Sequence, residues 1–374
     1  MKLVFLSNFF NHHQKPLSDA LYRLTDAFCF IETEEIPQER VKMGYAFDAR
    51  PAYVASFFRQ EERTHCEQAL ANADVVVFGS APEVLFRQCH REGRLLFRYS
   101  ERPLKNGAEP LKVLPRLVRW HWRNPPCARI YLLCASAYTA SDYAKYGLFC
   151  GRAFKWGYFP PTQQYDTAEA LLSKKNPLRI LWAGRFLQWK HPDDAILVAS
   201  QLKDAGYRFS MDLIGAGVME PILQKMILQL NLSDCVHMLG VKTPEEVRRH
   251  MEKAGVFLMT SDRYEGWGAV VNEAMNSGCA VLASDAAGAT PYLIRDGENG
   301  LIYHSGDVRE LEDKLAQLLM NPPYAKQLGV DAYETISTLW NAEVAAERLI
   351  RLSETILSGD RYPDLFREGP CSRA

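Results

Sequence analysis

No apolar run in this 374-residue chain approaches the ~18 residues needed to cross a bilayer, so no membrane-spanning helix is expected. The N-terminal stretch MKLVFLSNFF has a single lysine and no convincing cleavage region, and it reads as a buried first strand rather than a signal peptide. There is no basic excess. A formal net charge of -1 excludes a general nucleic-acid binder. The nine cysteines include no Cys-x-x-Cys pair, and such an odd, dispersed set is expected as reduced, mostly buried thiols in a cytoplasm. His12-His13, His65-Cys66-Glu67 and Cys89-His90 are the tight clusters of ligand-type residues, and none has zinc-site spacing, so no metal is expected. Short-period repeats and low-complexity tracts are also missing.

What the chain does have is alternation. Short apolar runs take turns with amphipathic stretches, the pattern of parallel α/β units. In the first half the expected strands are Leu3–Leu6, Asp74–Phe78, Arg94–Tyr99 and Ile130–Cys134, with helices at Leu17–Leu24, Pro82–Arg91 and Ser141–Tyr146. In the second half the strands are Arg179–Trp182, Ser210–Ile214, Val236–Leu239, Val256–Met259 and Ala280–Ala283. Helices are expected there at Pro192–Asp204, Val218–Gln229, Thr243–Lys253 and Val270–Asn276. The fold class is therefore α/β, with two doubly wound domains in series: 1–165, and 178–344 after a polar linker, Asp166–Pro177. A late helical pattern, Glu343–Leu357, precedes a polar tail.

The sharpest chemical signal is Glu265-Gly-Trp-Gly-Ala-Val-Val-Asn-Glu273. Gly266 and Gly268 allow a tight turn after a strand, and a helix beginning near Ala269 and Val270 aims its free N–H groups at that loop, a site suited to a diphosphate. Glu265 is placed to reach a sugar hydroxyl, and Glu273 to accept hydrogen bonds from a ribose diol; the alternative is an ordinary strand-to-helix turn with solvated carboxylates. A second signal, Gly184-Arg185-Phe186-Leu187-Gln188-Trp189-Lys190, sets two cations at the carboxyl end of a parallel strand, where such folds bind ligands. The chain has no Asp-x-Asp pair to hold a divalent ion on a diphosphate, so Arg185 and Lys190 would stabilise that leaving group instead. Gly215 and Gly217 follow a further strand and permit close backbone approach, although the third glycine of a dinucleotide fingerprint is missing. Gly240 and Val241 are placed to bracket a base.

Together these pieces resemble the retaining GT-B glycosyltransferases of family 4. The resemblance covers nearly the whole chain and is strongest from Leu178 to Tyr303. It rests on the Glu-x7-Glu element (Glu265, Glu273), the Gly-Arg-x4-Lys element (Arg185, Lys190) and the order Gly-x-Gly, Leu-Gly, Ser-x3-Glu-Gly-x-Gly. It implies two Rossmann-like domains facing a cleft, with the last helix and tail, 345–374, crossing back to the N-terminal domain. It also implies a nucleotide-diphosphate sugar as donor substrate, held by residues that include Trp267. No cofactor is implied beyond that donor. Arg185 and Lys190 would meet the diphosphate, Glu265 the sugar and Glu273 the ribose. The acceptor would be a glycan, a lipid-linked molecule or a small molecule, in a polysaccharide-building role. A nucleotide-sugar epimerase of the same fold and a non-catalytic nucleotide-sugar-binding subunit remain as alternatives.

The first half departs from the family pattern. Its first loop is Ser7-Asn8-Phe9-Phe10-Asn11-His12-His13-Gln14 rather than glycine-rich, and Tyr99-Ser100-Glu101-Arg102 stands where many relatives have His-Asp or His-Gly. Asn11, His12, His13, Glu101 and Arg102 are thus candidate sugar or acceptor contacts, or else loop structure. From Glu109 to Asp142 no acidic residue intervenes, while Lys112, Arg116, Arg119, Arg123 and Arg129 surround Trp120, His121 and Trp122. Segment 112–129 suits peripheral contact with the inner face of an anionic membrane, or else a helix with inward tryptophans and solvated arginines.

Overall fold

The computed structural model describes residues 1–38, 49–107, 113–125 and 128–374. The chain falls into two compact units, Met1–Pro161 together with Asn341–Ala374, and Thr162–Trp340. Each is built on one parallel sheet with helices between its strands.

In the first unit the strands are β1 (Lys2–Ser7), β2 (Ala27–Glu32), β3 (Val54–Ser56), β4 (Val75–Phe78), β5 (Leu95–Ser100), β6 (Ile130–Cys134) and β7 (Ala153–Lys155), in the order β3-β2-β1-β4-β5-β6-β7. The second unit holds β8 (Asn176–Ala183), β9 (Ser210–Ile214), β10 (Val236–Met238), β11 (Ala254–Met259), β12 (Ala280–Ser284) and β13 (Leu301–Tyr303), in the order β10-β9-β8-β11-β12-β13. The central strands are continuous apolar runs such as Val75-Val76-Val77-Phe78 because helices cover both faces of a parallel sheet. All four residues of that run are buried.

Every strand expected from the apolar runs is present. Strand β2, whose apolar run Phe28–Ile31 was passed over, and the short strands β3, β7 and β13 were not expected; three residues carry too little periodicity to stand out. Helix Gln60–Asn72 was missed for a related reason. Only Cys66 and Leu70 of its thirteen residues are buried, so it has almost no apolar stripe, and His65 and Glu67 are ordinary surface positions on it. The tract Asp166–Pro177 is not a free linker. It contains helix Ala168–Leu172 and the start of β8, and the Lys175 ammonium donates to the carbonyls of Met251 and Ala254, at 2.8 Å each.

The last 34 residues complete the first unit. Helix Ala342–Leu357 buries Ala345, Ala346, Leu349, Leu352 and Ile356 and packs on helix Lys15–Leu24, which buries Leu17, Ala20 and Leu21. An Arg23–Glu343 ion pair closes one end of that contact. Beyond the helix, the Lys155 N–H donates to the Ser372 carbonyl and the Cys371 N–H to the Lys155 carbonyl, each at 2.8 Å, so the tail runs antiparallel beside β7. Removing residues 341–374 is therefore expected to leave the first unit with an uncovered apolar face and an open sheet edge, and to make the shortened chain aggregate. Leu349→Ala should cost about 2–5 kcal/mol, read as a lowered thermal midpoint. A fully soluble truncation that melts like the intact chain would contradict this account.

Candidate active site

A doubly wound sheet binds ligands where the strand order reverses, because loops from the two adjacent strands leave on opposite faces and open a crevice. In the second unit that point lies between β8 and β11, which pair in parallel through Ile180↔Val256 and Trp182↔Leu258. The two sharpest sequence motifs are the loops that follow these two strands.

After β8, loop 184–186 is stitched to its neighbours by backbone bonds. The Gly184 N–H donates to the Ile214 carbonyl at 3.0 Å, the Phe186 N–H to Ala216 at 2.9 Å, and the Gly215 N–H to Gly240 at 2.9 Å. The sequence suggested Gly215 and Gly217 as places for close approach of a ligand. What approaches closely is the chain itself. A Cβ on Gly215 would lie 1.9 Å from the Gly184 carbonyl oxygen, and one on Gly217 2.5 Å from that of Phe186. These glycines shape the site without requiring a ligand to fill the space. Gly240 lies on the same edge, and Val241 beside it is 68% exposed, free to meet a flat ring.

The chain then carries Arg185, exposed, with its guanidinium 5.9 Å from the Trp189 ring centre, and on to Lys190. Lys190 does not point at solvent. Its ammonium pairs with the Glu265 carboxylate from the loop after β11, and each side chain is only 14% exposed. Three further bonds fasten the two loops together. The Thr260 hydroxyl donates to the Lys190 carbonyl at 2.7 Å and accepts from the Trp182 indole at 2.8 Å, while the Asp262 N–H donates to the Trp189 carbonyl at 2.9 Å. His191 sits in the left-handed region, φ 46°, with its Nε2 3.2 Å from Asp262. Thr260, His191 and Asp262 were not singled out from sequence. Among the described residues, His191, Asp193 and Asp194 form the one group of ligand-type side chains close enough together to hold a metal ion.

From Glu265 the chain turns through Gly266, Trp267 and Gly268 into helix Ala269–Asn276. Gly268 has φ 93°, and a Cβ there would meet Met259 at 2.7 Å, so this turn requires glycine. No side chain caps the helix and its first turn has no acidic residue. The N–H groups around Ala269 and Val270 therefore present the positive end of the helix dipole to the crevice. Trp267 contributes backbone only, since its indole is fully buried and donates to the Asn272 side chain at 2.8 Å. Glu273 lies one turn further on. Burial of its carboxyl pushes it up to about 7, and Arg248 opposes that shift.

In the first unit the order reverses between β1 and β4, and Asn11, His12 and His13 lie in the loop after β1. The His13 N–H donates to the Asn11 side chain at 3.0 Å, and the two imidazoles sit 3.9 Å apart. Glu101 and Arg102 follow β5 and are held locally. Glu101 accepts from the Tyr158 hydroxyl at 2.7 Å and from Lys105 at 2.8 Å. Arg102 spans Asp142, at 3.3 Å, and the Tyr138 ring.

Residues 164–335 match the family described as Glycosyl transferases group 1. Among curated relatives, the amylovoran biosynthesis glycosyltransferase AmsK of Erwinia amylovora is 30% identical over 48% of this chain and 45% of its own length. The putative colanic acid biosynthesis glycosyltransferase WcaL of Escherichia coli (strain K12) is 32% identical over 37% of this chain and 36% of its own. The chain thus spans less than half the length of these relatives. Among solved structures, Anabaena HepE in complex with UDP aligns with a TM-score of 0.70 at 15% identity, covering 96% of this chain and all of that one. Sucrose-phosphate synthase from Thermosynechococcus elongatus aligns with a TM-score of 0.69 at 16% identity, again over 96% of this chain. At such identities the shared property is the fold, two parallel doubly wound sheets of the GT-B type.

Glu273 makes this edge sensitive to pH. A folded carboxyl that keeps its proton up to about 7 favours folding most below its ordinary value of 4.5, and that contribution is lost as the pH rises through 7. Glu273→Gln is therefore expected to flatten the decline in thermal midpoint between about pH 5 and pH 8. An unchanged slope would show that the carboxyl is solvated.

Proposed function

We propose that this chain, whose residues 164–335 form a group 1 glycosyl transferase domain, moves a hexosyl group from a nucleoside-diphosphate donor to a glycan hydroxyl with retention of configuration. The observation that carries the reading is the Lys190–Glu265 ion pair at the β8/β11 reversal, beside an uncapped helix N-terminus. This arrangement suits a ligand that is anionic at one end and rich in hydroxyls at the other. The fold neighbour HepE, solved with UDP and with UDP-glucose, supports such a donor, and relatives named for amylovoran and colanic acid biosynthesis support a polysaccharide acceptor.

On this reading the diphosphate replaces Glu265 as the partner of Lys190. Glu265 is thereby released toward a donor-sugar hydroxyl, and Arg185, exposed at the loop, closes over the phosphates. Glu273, ionised by the time the ribose is bound, accepts hydrogen bonds from its diol. The bond from the anomeric carbon to the diphosphate oxygen breaks, with the electron pair leaving on the diphosphate. The acceptor hydroxyl attacks from the same face, and its proton passes to the departing phosphate oxygen. Charge grows on that oxygen toward the transition state, where Arg185, Lys190 and the helix N–H groups are strongest. No metal takes part in this scheme. We assign acceptor contact to Asn11, His12 and His13, and give Glu101 and Arg102 the task of shaping the loop beside them.

The test is calorimetry with UDP, GDP and ADP, paired with transfer kinetics using the corresponding sugar donors, all in EDTA. Glu273→Ala should weaken the preferred nucleotide by the loss of charge-assisted hydrogen bonds, each worth about 1.5–3 kcal/mol. Arg185→Ala should depress kcat far more than it raises KM for donor. Wild-type affinity and turnover in Glu273→Ala would sink the assignment. So would loss of activity in EDTA, or a new nucleotide sugar formed from donor alone.

A further inference from the structure

The basic, tryptophan-containing segment of the first unit resolves into a helix with two unlike faces. Trp120 turns inward, 9% exposed, with its ring 4.9 Å from that of Tyr143 and 4.8 Å from that of Tyr146. Trp122 turns outward. In helix Val113–Arg123, Leu114, Val118 and Trp122 stand at i, i+4 and i+8, which places them on one face, and they are 68, 62 and 63% exposed. Val84, on the neighbouring helix Glu83–Arg91, is 62% exposed as well. Such a row of large apolar side chains facing water needs an explanation that folding of this unit does not supply.

Its surroundings are cationic. The Arg87 guanidinium lies over the Trp122 ring, 4.7 Å from its centre, and joins the two helices into one surface. Arg91 follows one turn later, and Arg116, Arg119 and Arg123 share helix Val113–Arg123, whose sequence contains no acidic residue. Of the nearby carboxylates among the described residues, Glu83 is engaged by Arg98 at 2.8 Å and by Arg123 at 3.9 Å, and Glu92 by Arg94 at 2.9 Å.

We propose that this face docks on a bilayer bearing anionic headgroups, with Leu114, Val118 and Trp122 entering the interface and Arg87, Arg91 and Arg119 meeting lipid phosphates. Charge decides the occupant. A second copy of the chain would bring the same arginines against each other in a two-fold contact, and one short stripe is small beside the ~800 Å² per partner of a stable dimer. An anionic surface pairs Arg87, Arg91 and Arg119, and a tryptophan flanked by arginine suits the boundary between headgroup and acyl chain. The face lies within the first unit, so its role stands or falls separately from the donor chemistry of the second.

The experiment is co-sedimentation of the full chain with vesicles of pure phosphatidylcholine and of phosphatidylcholine mixed with phosphatidylglycerol. Wild type should bind the mixed vesicles at least about tenfold more tightly than the neutral ones, and added salt should weaken that binding. Arg87→Glu with Arg119→Glu, and separately Val118→Gln with Trp122→Gln, should each abolish it. Both pairs are surface changes, and an unaltered thermal midpoint will show that the fold persists. Equal binding to both vesicle types would overturn the proposal, as would undiminished binding by the folded variants. A lipid-independent dimer that Val118→Gln dissolves would overturn it too, by showing that a second copy covers the face.

Discussion

The Lys190–Glu265 ion pair is the contact on which the second unit's ligand edge depends. It joins the loops after two neighbouring strands, β8 and β11, at the reversal in strand order. Burying two charges to 14% exposure costs desolvation that their mutual attraction repays only with support around them. That support is visible: Thr260 holds the Lys190 carbonyl, Asp262 holds the Trp189 carbonyl and engages His191, and the glycines at 215 and 217 let a third loop close against the first. In the proposed function the same pair is an anion site in waiting: a diphosphate would bring more charge to Lys190 than one carboxylate does, and would free Glu265 for a sugar.

The two carboxylates of the Glu-x7-Glu motif thus have different states for physical reasons. Glu265 has a cation against it. At Glu273 burial outweighs the opposing effect of Arg248, and its carboxyl is pushed up to about 7. Two like residues eight positions apart thus differ in kind, one held by charge and one shifted by burial, and the proposed function gives them separate tasks.

Much of this was legible in the sequence. Long apolar runs announced the central strands, and the motifs marked the two loops at the strand reversal, because both depend on local composition. Partnership was not legible. Lys190 and Glu265 lie 75 positions apart, and nothing local says that they pair with each other before any ligand. Gly215 and Gly217 were read as permitting close backbone approach, and it is the backbone of Gly184 and Phe186 that approaches, a fact of tertiary packing. Trp120 and Trp122 are indistinguishable by composition, and only the helix phase sends one to Tyr143 and the other to solvent. Helix Gln60–Asn72 was hidden because only Cys66 and Leu70 of it are buried, which leaves no apolar stripe to read.

The most direct test of the exchange at Lys190 is the affinity of Glu265→Gln for a bare nucleoside diphosphate, measured by calorimetry in the wild-type and Lys190→Met backgrounds. If the diphosphate must displace Glu265 from Lys190, neutralising that carboxylate removes a competitor and an adjacent like charge. Affinity should then rise by about tenfold, the equivalent of 1.4 kcal/mol, and the gain should vanish when Lys190 is replaced. Weaker binding by Glu265→Gln, or a gain that persists without Lys190, would contradict the account.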